Sequence, residues 1–128
     1  MRVLLDTCTF LWWMAEPDKL SASVRRLLLD RRNEILLSAA SGWEISLKWR
    51  LGRLQLRAEP AAFIAEAVSA HALAHLPVSM AHAVRAGDLP LHHKDPFDRM
   101  LIAQAEIESV ALATPDAAFG RYRVETLW

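Results

Sequence analysis

Four acidic residues in this chain stand where a carboxylate could do chemistry: Asp6, Glu44, Asp98 and Asp116. Asp6 directly follows the apolar run Val3-Leu-Leu5, which puts it at the carboxyl end of a strand. Asp116 follows the run 110–112 through Thr114-Pro115, again at a carboxyl end. On a helical projection of about 100° per residue, Ala40, Trp43, Leu47 and Leu51 form one stripe, with Glu44 in its middle. An ionised carboxylate on such a stripe is costly unless it is paired or bound to a metal. Asp98 shares a helical face with Leu101, Ile102 and Ala105.

Each acid has a simpler reading when taken alone. Asp6 and Asp116 suit helix or turn caps, Glu44 suits an exposed i,i+4 pair with Lys48, and Asp98 suits the positive end of a helix dipole. Taken together, two follow strands at one edge of a sheet and two face inward from helices near it. If they converge, each close pair repels by roughly 4 kcal/mol at 4 Å and an effective dielectric near 20. Such a cluster must hold either protons or a divalent cation. All-oxygen ligands suit Mg²⁺ or Mn²⁺ rather than zinc or copper, and magnesium held by a few carboxylates typically works on phosphates. The expected chemistry is metal-assisted hydrolysis of a phosphodiester.

The elements that must position these acids are readable in outline. The short runs Val3-Leu5, Ile35-Leu37, Leu73-Leu76, 110–112 and a weak Arg123-Val-Glu125 read as strands, the first four apolar apart from His75, as buried parallel strands are. Helical patterns lie near 7–15, 21–32, 39–51, 60–71, 79–86 and 96–108. Ser21 and Ser79 sit where N-caps belong, and Gly52 and Gly87 follow apolar patterns as C-cap glycines do. Asp95-Pro96-Phe97-Asp98 reads as an N-cap, a proline at the first helical position and an acid in the first turn. Alternating strands and helices imply an α/β fold with a parallel sheet covered on both faces, and such folds bind ligands beyond the carboxyl ends of the strands.

Composition bounds the rest. With 128 residues, 53% of them apolar, the chain fits a single domain, residues 1–128, with a real core and a surplus that hints at a covered surface. Fifteen basic residues balance fifteen acidic ones, which argues against a polybasic nucleic-acid sleeve. Setting the four acids aside leaves 11 acids against 15 bases, a mildly basic frame around an acidic pocket. Cys8 is the only cysteine, so no internal disulfide and no cysteine-based zinc site can form, which fits a reducing cytoplasm. No apolar run approaches the roughly 20 residues of a membrane span, and Asp6 comes too early for a signal peptide.

The chain resembles the PIN-domain family and, within it, the VapC-type toxins of bacterial toxin–antitoxin pairs. The resemblance rests on Leu4-Leu-Asp-Thr7, on Ser41-Gly-Trp-Glu-Ile-Ser-Leu-Lys48 with Gly52-Arg-Leu54, on Leu91-His-His-Lys-Asp-Pro-Phe-Asp-Arg-Met-Leu-Ile-Ala-Gln-Ala105, and on Thr114-Pro-Asp-Ala-Ala-Phe119 with Leu127-Trp128. It implies a PIN-like three-layer sandwich around a central parallel sheet of about five strands. It also implies a Mg²⁺- or Mn²⁺-dependent endoribonuclease inhibited by a cognate VapB-like antitoxin. The family's four acids fall on Asp6, Glu44, Asp98 and Asp116, and Asp95 is an additional acid read mainly as an N-cap, with an outer metal role open.

Other residues carry weaker expectations. Thr7 or Thr9 would offer a hydroxyl to the phosphate from the start of the first helix. Arg99, beside Asp98, is the favoured phosphate contact, ahead of Arg25, Arg26, Arg31 and Arg32 and of Lys48, Arg50, Arg53 and Arg57. His92 and His93 read as loop histidines. Ile45 and Trp49 project opposite the Glu44 stripe, and Phe10 to Met14 exceed one helical face, so either a two-sided core or a docking groove lined by Ile45, Trp49, Trp12 and Trp13 is expected. A homodimer would use another surface. Three rivals remain. A receiver-type signalling domain would want paired acids after the first strand, where Asp6 stands between Leu5 and Thr7; a catalytically silent PIN module would bind RNA or protein only; and a haloacid-type phosphatase would need a second Asp that Asp6-Thr-Cys8 lacks.

Overall fold

A computed structural model describes all residues from Met1 to Trp128. Five strands, β1 (Arg2–Leu5), β2 (Glu34–Ser38), β3 (Ala74–Leu76), β4 (Ala111–Ala113) and β5 (Thr126–Leu127), form one sheet in the order β3-β2-β1-β4-β5, parallel throughout. Six α-helices connect and cover it: α1 (Thr7–Ala15), α2 (Ala22–Leu29), α3 (Ala39–Arg50), α4 (Pro60–His71), α5 (Met80–Asp88) and α6 (Pro96–Glu108).

The apolar runs of β1, β2 and β4 are strands buried on both faces, whereas β3, at the sheet edge, leaves His75 exposed. Val3, Leu5, Ile35 and Leu37 point into one core with Phe10, Val24, Ile45 and Phe63 from α1 to α4. The intervening Leu4, Leu36 and Leu112 point into the other, against Leu101, Ile102 and Phe119. This alternation produces the three layers, and no helix is long and apolar enough to cross a membrane.

Local chemistry sets most boundaries. Ser21 and Ser38 cap α2 and α3, and Ser79 forms a reciprocal capping box with His82 at the start of α5. Gly52 takes φ +73° just past α3, a conformation that penalises any Cβ. Gly87, expected as a cap, instead lies inside α5, which runs on to Asp88 and stops before Pro90. Helix α2 ends at Leu29, short of the expected residue 32, because the Asp30 carboxylate accepts from the Arg32 backbone N–H and closes a turn. The last strand lies at Thr126–Leu127 rather than 123–125; a 3₁₀ turn at Ala117–Arg121 consumes chain before the ladder resumes.

Candidate metal centre

Strand order reverses direction at β1 and β4, and the crevice at such a switch point is where open α/β sheets bind ligands. Asp6 leaves β1 there. It occupies the N-cap position of α1, yet its side chain makes no capping hydrogen bond, so its carboxylate is free to face the crevice. It is buried, accepting from Thr114 Oγ1 at 2.6 Å and from Cys8 Sγ at 3.5 Å. Asp116 leaves β4 through Pro115; its Oδ1 accepts from the Ala118 N–H at 2.9 Å and its side chain is 43% exposed. Glu44 enters from α3, only 4% exposed, with Oε2 paired to the Lys48 ammonium and Oε1 buried without any partner. Asp98 enters from the first turn of α6. Asp95 caps that helix, accepting from the Phe97 and Asp98 N–H groups at 2.8 and 3.1 Å, which leaves the Asp98 carboxylate available to the crevice.

These side chains line one cavity of about 230 Å³, shared by Asp6, Glu44, Asp95, Asp98 and Asp116 with Thr7, Cys8 and Lys48. Burial, then the neighbouring Asp6, Asp95, Glu44 and Asp116 carboxylates, push Asp98 up to about 8. Burial also raises Asp6, against the opposing hydrogen bonds from Thr114 and Cys8. Burial works against the Lys48 ammonium, but the Glu44 carboxylate beside it prevails and raises its pKa. Cys8 is pushed up to about 12 by burial and by Asp6, so it remains a thiol that donates to Asp6 rather than a thiolate ligand.

The cavity thus concentrates negative charge that the protein compensates only in part, with one lysine. A buried carboxylate oxygen without a partner is costly. The orphaned Glu44 Oε1 and an all-carboxylate donor set are what a hard divalent cation satisfies. Asp6, Glu44, Asp98 and Asp116 are the residues able to hold one. His93 also brings a nitrogen within 4.8 Å of the carboxylate oxygens of Asp98 and Asp116. A larger cavity of about 490 Å³, between α3, α5 and the start of α6, is mostly apolar and contains no carboxylate.

Several sequence expectations are corrected. Arg99 does not face the crevice: it is 8% exposed, and its guanidinium donates to the carbonyls of Ala86, Gly87, Leu89, Pro90 and His93. Those bonds use its donors to tie the 86–93 segment to α6. Thr9 is fully buried and donates to the Ala113 carbonyl; Thr7 lines the cavity but spends its hydroxyl hydrogen on Ser41 Oγ at 2.8 Å. Of the stripe around Glu44, Trp43, Leu47 and Leu51 are exposed at 66%, 38% and 56% and only Ala40 is buried, while Ile45, expected in a docking groove, is completely buried in the core. A helix apolar on both sides leaves periodicity unable to say which side meets the sheet. Trp49 is 40% exposed, whereas Trp12 and Trp13 are half-buried, Trp12 stacked edge-on with Trp128 and Trp13 tilted against His71.

Three residues take roles the sequence did not assign them. Thr114 holds Asp6; Lys48, read as an exposed partner of Glu44 or a phosphate contact, lines the cavity itself; and His93, read as a loop histidine, stands between Asp98 and Asp116. A hydroxyl two residues before Asp116 at a strand end was a usable signal for Thr114. His93 carries none, because long-range loop contacts place its ring.

The comparisons with known proteins agree with this architecture. The VapBC2 complex of Rickettsia felis, bound to a DNA fragment from its promoter, contains a chain that superposes with TM-score 0.74 at 17% identity, covering 99% of this chain and 98% of that one. A chain of the DNA-bound VapBC of Salmonella typhimurium gives 0.71 at 17%, covering 99% and 97%. At such identities the likeness is one of fold. In sequence, ribonuclease VapC16 of Mycobacterium tuberculosis is 40% identical over 58 residues, 45% of this chain, and that stretch spans only 41% of the relative's length. The family model of the PIN domain matches residues 3–125, nearly the whole of the sheet and all four inward acids, and the chain belongs to the PIN domain family.

Proposed function

We propose that residues 1–128 act as one domain, a Mg²⁺- or Mn²⁺-dependent endoribonuclease of the VapC type held in check by a VapB-like antitoxin in the cytoplasm. The observation that carries this reading is the convergence of Asp6, Glu44, Asp98 and Asp116 on one cavity at the switch point, with Glu44 Oε1 left unpaired. The partial likeness to ribonuclease VapC16 supports the substrate class.

In this reading the four carboxylates hold the cation. When bound, the ion supplies positive charge to a scissile phosphate and lowers the pKa of a coordinated water. The protein's part is to hold the acids ready. Thr114 and Cys8 fix the Asp6 carboxylate, and Asp95 takes up the free N–H groups of α6 so that Asp98 can face the cavity. Lys48 balances part of the charge on Glu44 and brings a cation to the rim, where a phosphate would approach. Arg50 and Arg53, exposed just beyond Lys48, extend that basic edge toward RNA.

An antitoxin segment fits the apolar cleft of about 370 Å³ lined by Leu11, Trp12, Met14, Leu54, Leu56 and Phe63. Leu11 and Leu54 line this cleft and the acidic cavity alike, so an occupant of one reaches the mouth of the other. A homodimer would use the separately exposed Trp43, Leu47, Met80 and Val84. The test is incubation of purified protein with total cellular RNA in Mg²⁺, Mn²⁺ or chelator, with cut ends mapped against Asp98→Ala. Metal-dependent cuts lost in that variant are expected; cuts that persist in chelator or in Asp98→Ala refute the assignment. Specific RNA binding without cleavage in any metal would favour a catalytically silent module.

A further inference from the structure

His93 touches two of the metal-holding acids without being one of them. Its Nε2 hydrogen-bonds Asp116 Oδ2 at 3.2 Å and lies 3.0 Å from Asp98 Oδ2. Proximity alone would make it a third ligand. The other ring nitrogen argues otherwise, because Nδ1 accepts the backbone N–H of Asp95 at 3.2 Å. An imidazole nitrogen that accepts a hydrogen bond carries no hydrogen, so the ring hydrogen resides on Nε2. A nitrogen bearing that hydrogen has no lone pair to give a cation.

The ring is held in this pose from several sides. It packs edge-on against Phe119 with centroids 5.5 Å apart, its own backbone N–H donates to the Tyr122 hydroxyl at 2.7 Å, and its carbonyl accepts from Arg99 Nη1 at 3.1 Å. Asp116 needs outside support more than the other acids. It sits at the start of a short 3₁₀ turn, its side chain is the most exposed of the four, and its other oxygen is tied only to the Ala118 N–H. Asp98, by contrast, is carried by the thirteen-residue helix α6.

We infer that His93 is a positioning residue and not a metal ligand: its Nε2–H holds the Asp116 carboxylate beside that of Asp98, so that both acids meet one cation. This rests on the metal-site reading above. Residues that orient metal-binding carboxylates typically matter about 10- to 100-fold for metal affinity.

The test is Mg²⁺ titration by calorimetry on wild type, His93→Ala and His93→Gln, with nitrogen-15 NMR of the His93 ring in the presence and absence of Mg²⁺. The ring is expected to keep its hydrogen on Nε2 in both conditions. His93→Ala should bind Mg²⁺ at least about 10-fold more weakly, while His93→Gln, which restores an N–H donor, stays within about threefold of wild type. A shift of the hydrogen to Nδ1 on adding Mg²⁺ would overturn the inference, since Nε2 would then be ligating. So would undiminished binding by His93→Ala, or a glutamine variant as weak as the alanine one. Wild-type protein that binds no Mg²⁺ refutes the metal-site reading and this inference with it; wild-type binding matched by His93→Ala refutes this inference alone.

Discussion

Arg99→Met separates the position of Arg99 in the sequence from its position in space. Next to Asp98, an arginine invites a phosphate-binding role; in the fold it is 8% exposed and turned toward a loop. Nη2 donates to the Ala86 and Leu89 carbonyls at 2.8 Å each and to Gly87 at 3.3 Å, and Nη1 donates to Pro90 and His93 at 3.0 and 3.1 Å. Methionine keeps much of the apolar stem and removes every donor. The Pro90 and His93 carbonyls lie nearer the surface and can turn to water, so they contribute little. The two short bonds to Ala86 and Leu89 are buried, and each carbonyl stranded there costs about 1–3 kcal/mol. Removing a buried charge also removes its desolvation penalty, which favours the lower part of that range, about 2–4 kcal/mol in total. That is a large share of the roughly 5–15 kcal/mol that holds a domain together. At roughly 3–4 °C per kcal/mol for a chain of this size, Tm should fall by about 6–16 °C. Urea unfolding followed by tryptophan fluorescence, beside a thermal scan, measures it, and Arg99→Lys should fall between the two. If Arg99→Met unfolds within about 0.5 kcal/mol of wild type while its KM for RNA rises sharply, the carbonyl-clamp argument is wrong and Arg99 belongs to the substrate.

Four other outcomes follow from the same geometry. Without metal, stability should decline as pH rises from about 4 toward 8, because folded Asp98 keeps its proton up to about 8 while the unfolded chain releases it near 3.8. Mg²⁺ should reverse much of that decline, so thermal scans in EDTA and in Mg²⁺ that run parallel across this window would count against the acidic site. Ile45→Asp places a charge in a fully buried position and should cost more than about 4 kcal/mol, whereas Trp49→Asp, on a surface 40% exposed, should stay within about 1 kcal/mol; far-ultraviolet dichroism during denaturation distinguishes them. Gly52→Ala should destabilise by about 1 kcal/mol at φ +73°, while Gly87→Ala, within α5 and with nothing within 4 Å of the new Cβ, should stabilise by up to about 1 kcal/mol in chemical denaturation. Thr114→Val removes the 2.6 Å bond to Asp6 and the acceptor of the Asp116 N–H, and should weaken Mg²⁺ binding about 10-fold by calorimetry at a stability cost of about 1–3 kcal/mol.

Neighbouring residues suffice to locate most of the architecture. The runs around Leu4, Leu36 and Leu112 mark strands buried on both faces, and Ser21, Ser79 and Asp95-Pro96 mark helix starts, because strand burial and capping depend on a few adjacent residues. Asp6 and Asp116 stand out for the same reason, since a strand end is a local feature. Glu44 reaches the cavity although three of the four apolar residues in the stripe that drew attention to it are exposed. Helical periodicity identifies the faces of a helix, but only packing decides which one the sheet covers, and Ile45 takes the buried side.

His93, Arg99 and Lys48 belong to the tertiary structure. His93 reaches Asp116, 23 residues away, because the Tyr122 hydroxyl and the Arg99 guanidinium shape the loop that carries it. Arg99 is drawn inward by carbonyls up to 13 residues earlier, left free where the chain leaves α5. Lys48 is one helical turn from Glu44, a spacing found on any solvated helix, and it gains meaning only because three other acids converge beside it. Capping and burial patterns are short-range and are written in adjacent residues. The electrostatics of a site depend on distances between segments far apart in the chain, and those distances exist only once the sheet has closed.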